Sequence, residues 1–543
     1  MLWILTIMMP KYPLRIRSAP DTYLSAATLS AGYSALVISL IVSLVVPLLV
    51  LASWWLASRY GWMSEQILPS PLTVIGSARA FIPEELIHQL PISLMRLVIG
   101  FSGGIALGLV LGSLFGLNRR LNALFMPLFT VIAQIPTLAW IPLLMLSLGI
   151  GEALKLVVLV KSVTVPVTLY TCAGIQQTPQ KLHEMVRSLR LPPVAFLRYL
   201  ILPAMLPYVM TGVRLAFSTG WVALIAVELL ASSEGLGYLL VQSRQLFMLD
   251  LVFVCILIIG ILGFTGERVL LKLERRWIHW PAPVLGRDSL SYALPSLSLT
   301  PWLAPLMLIA LWQISSTREW VNVAFLPAPS DVIEALWSGL IQGGLLADLN
   351  ASLLRALQGF MLGSAIGVLV GALLGGWRIA DKLFNPALSA LRCVALFAWL
   401  PLITAWFGLG ESAKIVFIAV AAFFPVMLAT RQGIAQLPPA LLEVAQVLRL
   451  TPMQTLRTLI LPSVLPPLFS GLRLALMHAW TGAIGAEYFM PSGEGLGGMM
   501  IRAQQLLESD RIMAGVVLIA VVAALFSRLI TLSERRLTRW RFA

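Results

Sequence analysis

The chain has 543 residues, of which 59% are hydrophobic and 11% charged, with a net charge of +14. A soluble domain carries about 25% charged residues, so this composition leaves too little polar surface for a soluble protein of this size and describes an integral membrane protein. The basic excess fits cytoplasmic loops that set orientation better than a nucleic-acid surface. Cys172, Cys255 and Cys393 lie in apolar segments without CxxC spacing, and the four histidines form no HExxH, so neither a disulfide framework nor a metal site is indicated.

In chain order, "MLWILTIMMPKYPLRIRSAP" comes first, with its basic residues after the apolar run. A secretory signal has the reverse order, so residues 1–33 are read as a retained cytoplasmic segment carrying Lys11, Arg15 and Arg17. Six apolar segments follow near 34–57, 94–117, 122–148, 153–172, 204–230 and 251–272. A Pro- and Ser-rich linker occupies 277–300. Six more segments lie near 301–315, 353–376, 384–409, 412–430, 463–489 and 512–531. Runs of roughly 20 apolar residues match a hydrocarbon core of about 30 Å. The expected fold is an all-α integral membrane protein of about 12 transmembrane helices, with domains at 34–276 and 301–543.

The two domains are one unit written twice. "LRLPPVAFLRYLILPAMLPYVMTGVRLAF" from Leu189 and "LRLTPMQTLRTLILPSVLPPLFSGLRLAL" from Leu448 share 16 of 29 residues without a gap. Arg96 and Arg355, Trp140 and Trp399, Glu184 and Glu443, Pro203 and Pro462, and Arg214 and Arg473 all stand 259 apart. "EGLG" at 234–237 recurs at 494–497, one residue further. Arg119/Arg120, the first copy of the 29-residue stretch and Lys272/Arg275/Arg276 share one side. Arg378/Lys382, the second copy and Arg535/Arg536/Arg539 share the same side, which positive-inside places in the cytoplasm. An even number of spans per half makes the repeats parallel and puts both termini in the cytoplasm.

Each copy of the stretch follows "PQKLHEMVRSLR" or "PPALLEVAQVLR". Proline suits a first helical turn, and Leu182, Met185, Val186 and Leu189, like Leu442, Ala445, Val447 and Leu448, recur at helical spacing. A short amphipathic helix along the membrane surface is predicted in each half. "ILP" then breaks it and returns the chain to the bilayer. Such a helix, present twice, suits docking on a partner in two equivalent places.

The motifs "EMVRSLR" at 184–190, "EVAQVLR" at 443–449 and "LILP" at 200–203 and 459–462 resemble the EAA loop of ATP-binding-cassette importer permeases. "LPSP" at 68–71, "LPAPS" at 326–330, "LAWIPL" at 138–143, "FAWLPL" at 397–402 and both "EGLG" motifs are similar to the nitrate/sulfonate/taurine/bicarbonate branch. The resemblance spans nearly the whole chain, twice, as two fused permease domains. It departs at Arg190 and Arg449, where the family usually has glycine, and at Met185 and Val186, where it usually has alanines.

The resemblance implies a bacterial inner-membrane permease that supplies the path and not the energy. Two separate cassette ATPase subunits would bind ATP, as the chain has no GxxxxGK[ST]. An extracytoplasmic substrate-binding protein would deliver a small, anionic solute, and the chain itself would need no cofactor. The coupling contacts implied are Glu184, Arg187, Arg190 and Pro203, with Glu443, Gln446, Arg449 and Pro462. Polar and aromatic side chains within spans are the candidates for the path: Gln134, Trp140, Lys161, Trp221 and Glu228, then Arg392, Trp399, His478, Trp480 and Glu487. Arg392, whose partner at the repeat offset is Ala133, is the candidate for attracting an anion. An ion-gradient-driven transporter with two parallel halves is the alternative; the twin cytoplasmic loops count against it.

Overall fold

The computed structural model describes residues 44–178, 184, 188–189, 192–280, 300–341 and 343–538. The expected N-terminal segment, most of the linker, and Arg187 and Arg190 lie outside the described residues. Every regular element among those described is helical. The first half runs through Leu44–Arg59 (α1), Pro71–Leu117 (α2), Arg119–Gln134 (α3), Thr137–Leu148 (α4), Glu152–Gln176 (α5), Val194–Ala231 (α6), Leu236–Gln245 (α7) and Leu249–Trp277 (α8). The second runs through Thr300–Thr317 (α9), Pro329–Ile341 (α10), Leu345–Gly376 (α11), Arg378–Arg392 (α12), Leu396–Phe407 (α13), Glu411–Ala435 (α14), Pro439–Val447 (α15), Pro452–Phe489 (α16), Leu496–Gln505 (α17) and Ser509–Leu537 (α18).

Among the described residues eight helices are long and apolar enough to cross a bilayer, or ten if each bent pair counts as one span. The segments near 34–57 and 301–315 fall on the shorter α1 and α9. At 1.5 Å per residue, the 18 residues of α9 reach about 27 Å, a little short of a full core.

The segments expected as single spans at 122–148 and 384–409 are each broken into two helices set nearly at a right angle. α3 and α4 meet at 88°, α12 and α13 at 94°. In the first half Pro136 holds Ile135 extended, at φ −73° and ψ 117°. Ala395 replaces that proline in the second half, yet the bend is the same, so packing shapes it in both. Pro142 and Pro401 then start the next helix, where no N–H is needed.

The tightest seam in each half is a glycine ladder. Gly100, Gly104, Gly108, Gly112 and Gly116 of α2 lie against Leu159, Val163, Val167, Thr171 and Ile175 of α5. A Cβ added at Gly104, Gly108, Gly112 or Gly116 would fall 2.6–2.8 Å from those side chains. Gly359, Gly363, Gly367, Gly371 and Gly375 of α11 repeat the ladder against α14. Water cannot drive helices together inside a bilayer, so close backbone approach through small residues supplies the attraction by dispersion.

Candidate translocation and coupling sites

At the end of each half opposite the repeated loop lies an ionic knot whose arginine and one of whose carboxylates are buried. Arg96 on α2 donates through Nε to Glu152 at 2.8 Å and through Nη1 to Glu228 at 2.9 Å and the Glu234 carbonyl at 2.9 Å. Glu228 on α6 is wholly buried and also accepts from Ser93 Oγ at 2.7 Å and the Gly237 N–H at 3.0 Å. Ser93 Oγ accepts from the Leu236 N–H and Gln89 from the Gly235 N–H, at 2.9 and 2.7 Å. Three successive amides of the "EGLG" turn are thus satisfied by side chains, as a water-poor environment demands. Lys155 completes the knot on Glu152 at 2.8 Å.

The second half rebuilds it from Arg355, Glu411, Lys414, Ser352 and Glu487, with Asp348 in place of Gln89. Glu228 and Glu487, expected on the path, therefore fasten α2, α5, α6 and the "EGLG" turn, and their equivalents, into one rigid body per half. Arg96, Arg355, Ser93 and Ser352 were not singled out from sequence as functional. The 259-residue match of Arg96 with Arg355 was the available signal.

The other path candidates divide. Trp480 is fully buried and donates to the Ile519 carbonyl at 3.2 Å, with Phe526 edge-on at 5.7 Å. Its mate Trp221 is also buried, stacked on Phe217, but its indole N–H has no acceptor among the described residues. Both are core residues, enclosed by packing. Arg392 at the end of α12 crosses to the first half and pairs with Glu267 on α8 at 2.7 Å, so its charge is already answered. Cys393 Sγ approaches the same carboxylate at 3.0 Å. His478 is exposed on α16. Gln134, Trp140 and Trp399 are half-buried beside the two bends. Leu138, in the turn carrying Trp140, meets the second half at Gly485, where Phe397 from the mirror turn also packs. The two bends therefore meet at the seam between halves. Lys161 on α5 lies there too, its Nζ 5.4 Å from the Trp140 ring centroid and 3.2 Å from the Ile135 carbonyl.

In the loop between α14 and α16, α15 stands off the bundle. Ala445 is its only buried residue, while Leu441, Leu442, Val444, Val447 and the following Leu448 are exposed. Glu443, Gln446 and Arg449 are exposed as well. In the first copy Glu184 is helical and exposed, with Ser188 Oγ donating to its carbonyl at 3.0 Å. Arg449 adopts φ +49°, its N–H bonded to the Gln446 carbonyl and that of Leu450 to Ala445, both at 3.0 Å. This is a Schellman closure of α15, with arginine at the left-handed position that glycine usually takes. "ILP" does not break the chain, contrary to expectation. Single π turns at Leu197–Ile201 and Leu456–Ile460 absorb Pro203 and Pro462 within continuous helices α6 and α16.

The sequence profile of the family described as "Binding-protein-dependent transport system inner membrane component" matches residues 104–279 and again 363–539. The chain is 37% identical over 239 residues to the putative aliphatic sulfonates transport permease protein SsuC of Bacillus subtilis (strain 168), an alignment covering 44% of this chain and 86% of that protein. It is 31% identical over 274 residues to the taurine transport system permease protein TauC of Escherichia coli (strain K12), covering 50% and 96%. It is 32% identical over 201 residues to the bicarbonate transport system permease protein CmpB of Synechococcus elongatus, covering 37% and 72%. Each relative aligns with half of this chain or less, as a single unit of a duplicated protein would. With both bundles matched, over more than half of its length, the chain belongs to the family of binding-protein-dependent transport system inner membrane components, whose domain it carries twice.

Proposed function

We propose that the chain is a two-domain permease of a cassette importer for a small anionic solute. Both termini lie in the cytoplasm, and separate ATPase subunits grip one coupling helix in each half. The observation that carries this reading is α15. A helix of nine residues is not stable alone in water, and this one has five large apolar side chains at or beside it exposed. A cleft on an ATPase surface would bury them, with Glu443 and Gln446 at its rim. Glu184 has the corresponding place in the first half. Closing of two ATPase subunits would then draw the cytoplasmic ends together, and the ionic knots would make each half move as a body. Sulfonate, taurine and bicarbonate are the solutes in the relatives' names, and all carry an anionic oxygen group.

Co-purification tests the coupling. The wild-type permease is expected to retain a cassette ATPase through gel filtration, and Glu184→Ala with Glu443→Ala to lose it or to uncouple ATP hydrolysis from uptake. Uptake driven by a proton or sodium gradient, with no ATPase bound, would refute the reading.

A further inference from the structure

Among the described residues of the long spanning helices, Lys161 differs from the other buried or half-buried cations. Arg96, Lys155, Arg214, Arg355, Arg392, Lys414, Arg431 and Arg473 each face a carboxylate within 3.5 Å. Among the described residues Lys161 has none; its contacts are the Ile135 carbonyl and the Trp140 ring. It is the tenth of 25 residues in α5, about 14 Å from that helix's N-terminal end. That depth is near mid-membrane, where an unanswered charge is costly and marks a solute path.

A structural duty does not explain it. Lys161 could be held to serve the carbonyl exposed where α3 bends into α4. The second half bends by 94° against 88° with Val420 at the mirror position, so the bend forms without a lysine. Val420 and Lys161 are equally half-buried. The duplicated fold thus carries a cation on one side of its pseudo-twofold axis and an isopropyl group on the other. Beside the ammonium, the Trp140 indole N–H is buried and has no acceptor among the described residues. Among the described residues, an ammonium with no carboxylate, bonded to the Ile135 carbonyl alone, and an indole N–H with no acceptor stand together next to the seam between the halves, the donor set of an anion subsite.

We propose that Lys161, with the Trp140 N–H, binds the oxyanion head of the transported solute at mid-depth. Val420 and the second half face the solute's apolar end. The site is one-sided, so a solute with a charged head and a short apolar tail is taken in one orientation. This rests on the permease reading above and names its solute contact.

The test uses the purified full-length chain and trifluoromethanesulfonate, followed by fluorine NMR line broadening, which reads weak binding directly. Binding is expected, and ethanesulfonate should compete at least tenfold better than neutral ethanesulfonamide of the same shape. Lys161→Gln keeps a donor for the Ile135 carbonyl but removes the charge; it should weaken binding at least tenfold, and Lys161→Arg should restore it to within about threefold. Trp140→Phe, which keeps the ring, should weaken it by about threefold. Equal competition by the sulfonamide overturns the proposal in the wild type alone, whatever the variants' folding. Undiminished binding to Lys161→Gln overturns it too, as does absence of binding to the wild type. In each of these cases ATPase co-purification is unaffected, so failure of the subsite is distinguishable from failure of the permease reading.

Discussion

Arg449 carries a backbone conformation that costs an L-residue about 1–2 kcal/mol, and it does so at the end of the helix offered to a partner. Arg449→Gly is expected to stabilise that turn by about 1 kcal/mol, seen as slower hydrogen exchange at the Leu448–Leu450 amides. Arg449→Val should have the opposite effect, since a β-branched residue is least tolerated there. The knot supplies a second residue-scale case. Arg96→Met leaves the Glu228 carboxylate with no exposure and no counter-charge, at a cost of about 3–5 kcal/mol. A fall in melting temperature in detergent is expected for Arg96→Met and Arg355→Met. It should be smaller for Arg96→Met combined with Glu228→Met, because the pair leaves together. Arg96→Met and Glu228→Gln variants with unchanged melting would show that the knot is not holding the "EGLG" turn.

At the scale of elements, α2 and α5 are joined where no side chain intervenes. Gly108→Ala places a methyl group 2.7 Å from Val167 Cβ, with no room for either helix to yield without separating. Overpacking of that kind costs about 1–3 kcal/mol. Gly103, one helical face away, has its nearest neighbour at 3.6 Å, so Gly103→Ala should be neutral. Melting temperatures of the two variants separate the ladder from a general effect of losing glycine. The ladder's five glycines at four-residue spacing stand twice in the sequence, an available signal that was not singled out. The bends were less legible: one half has a proline at the corner and the other does not, and their common cause is the packing of α3–α4 and α12–α13 against the opposite half. The π turns before Pro203 and Pro462 had no local signature beyond the prolines themselves. Proline spacing predicts a break, and only the continuous packing of α6 and α16 shows that a widened turn is enough.

At the scale of the molecule, two homologous halves have drifted apart in charge. Asp381 and Arg431 form an ion pair in the second half, with an Nη2 contact of 3.0 Å. The same two positions in the first half are Asn122 and Cys172, a neutral contact at 3.4 Å. Glu267 and Arg392 bind the halves to one another once, with no mirror copy. Such contacts, and relatives that align with a single half, predict that the halves assemble without a covalent link. Co-expressed fragments cut within residues 281–299 should co-purify, and Arg392→Ala should lower their yield.

The sequence alone determined the membrane class, the duplication and the family. These follow from composition, long apolar runs and local motifs, all carried by residues near one another in the chain. The tertiary structure decided which partners three of the intramembrane charged groups have. Glu228, Arg392 and Lys161 look alike in the sequence, as isolated charges in apolar segments. One is locked in a knot by residues 132 positions away, one is answered across the halves by a residue 125 positions away, and one has no carboxylate partner among the described residues. A buried charge takes its role from the counter-charge and solvent around it. Those neighbours are set by packing between distant segments.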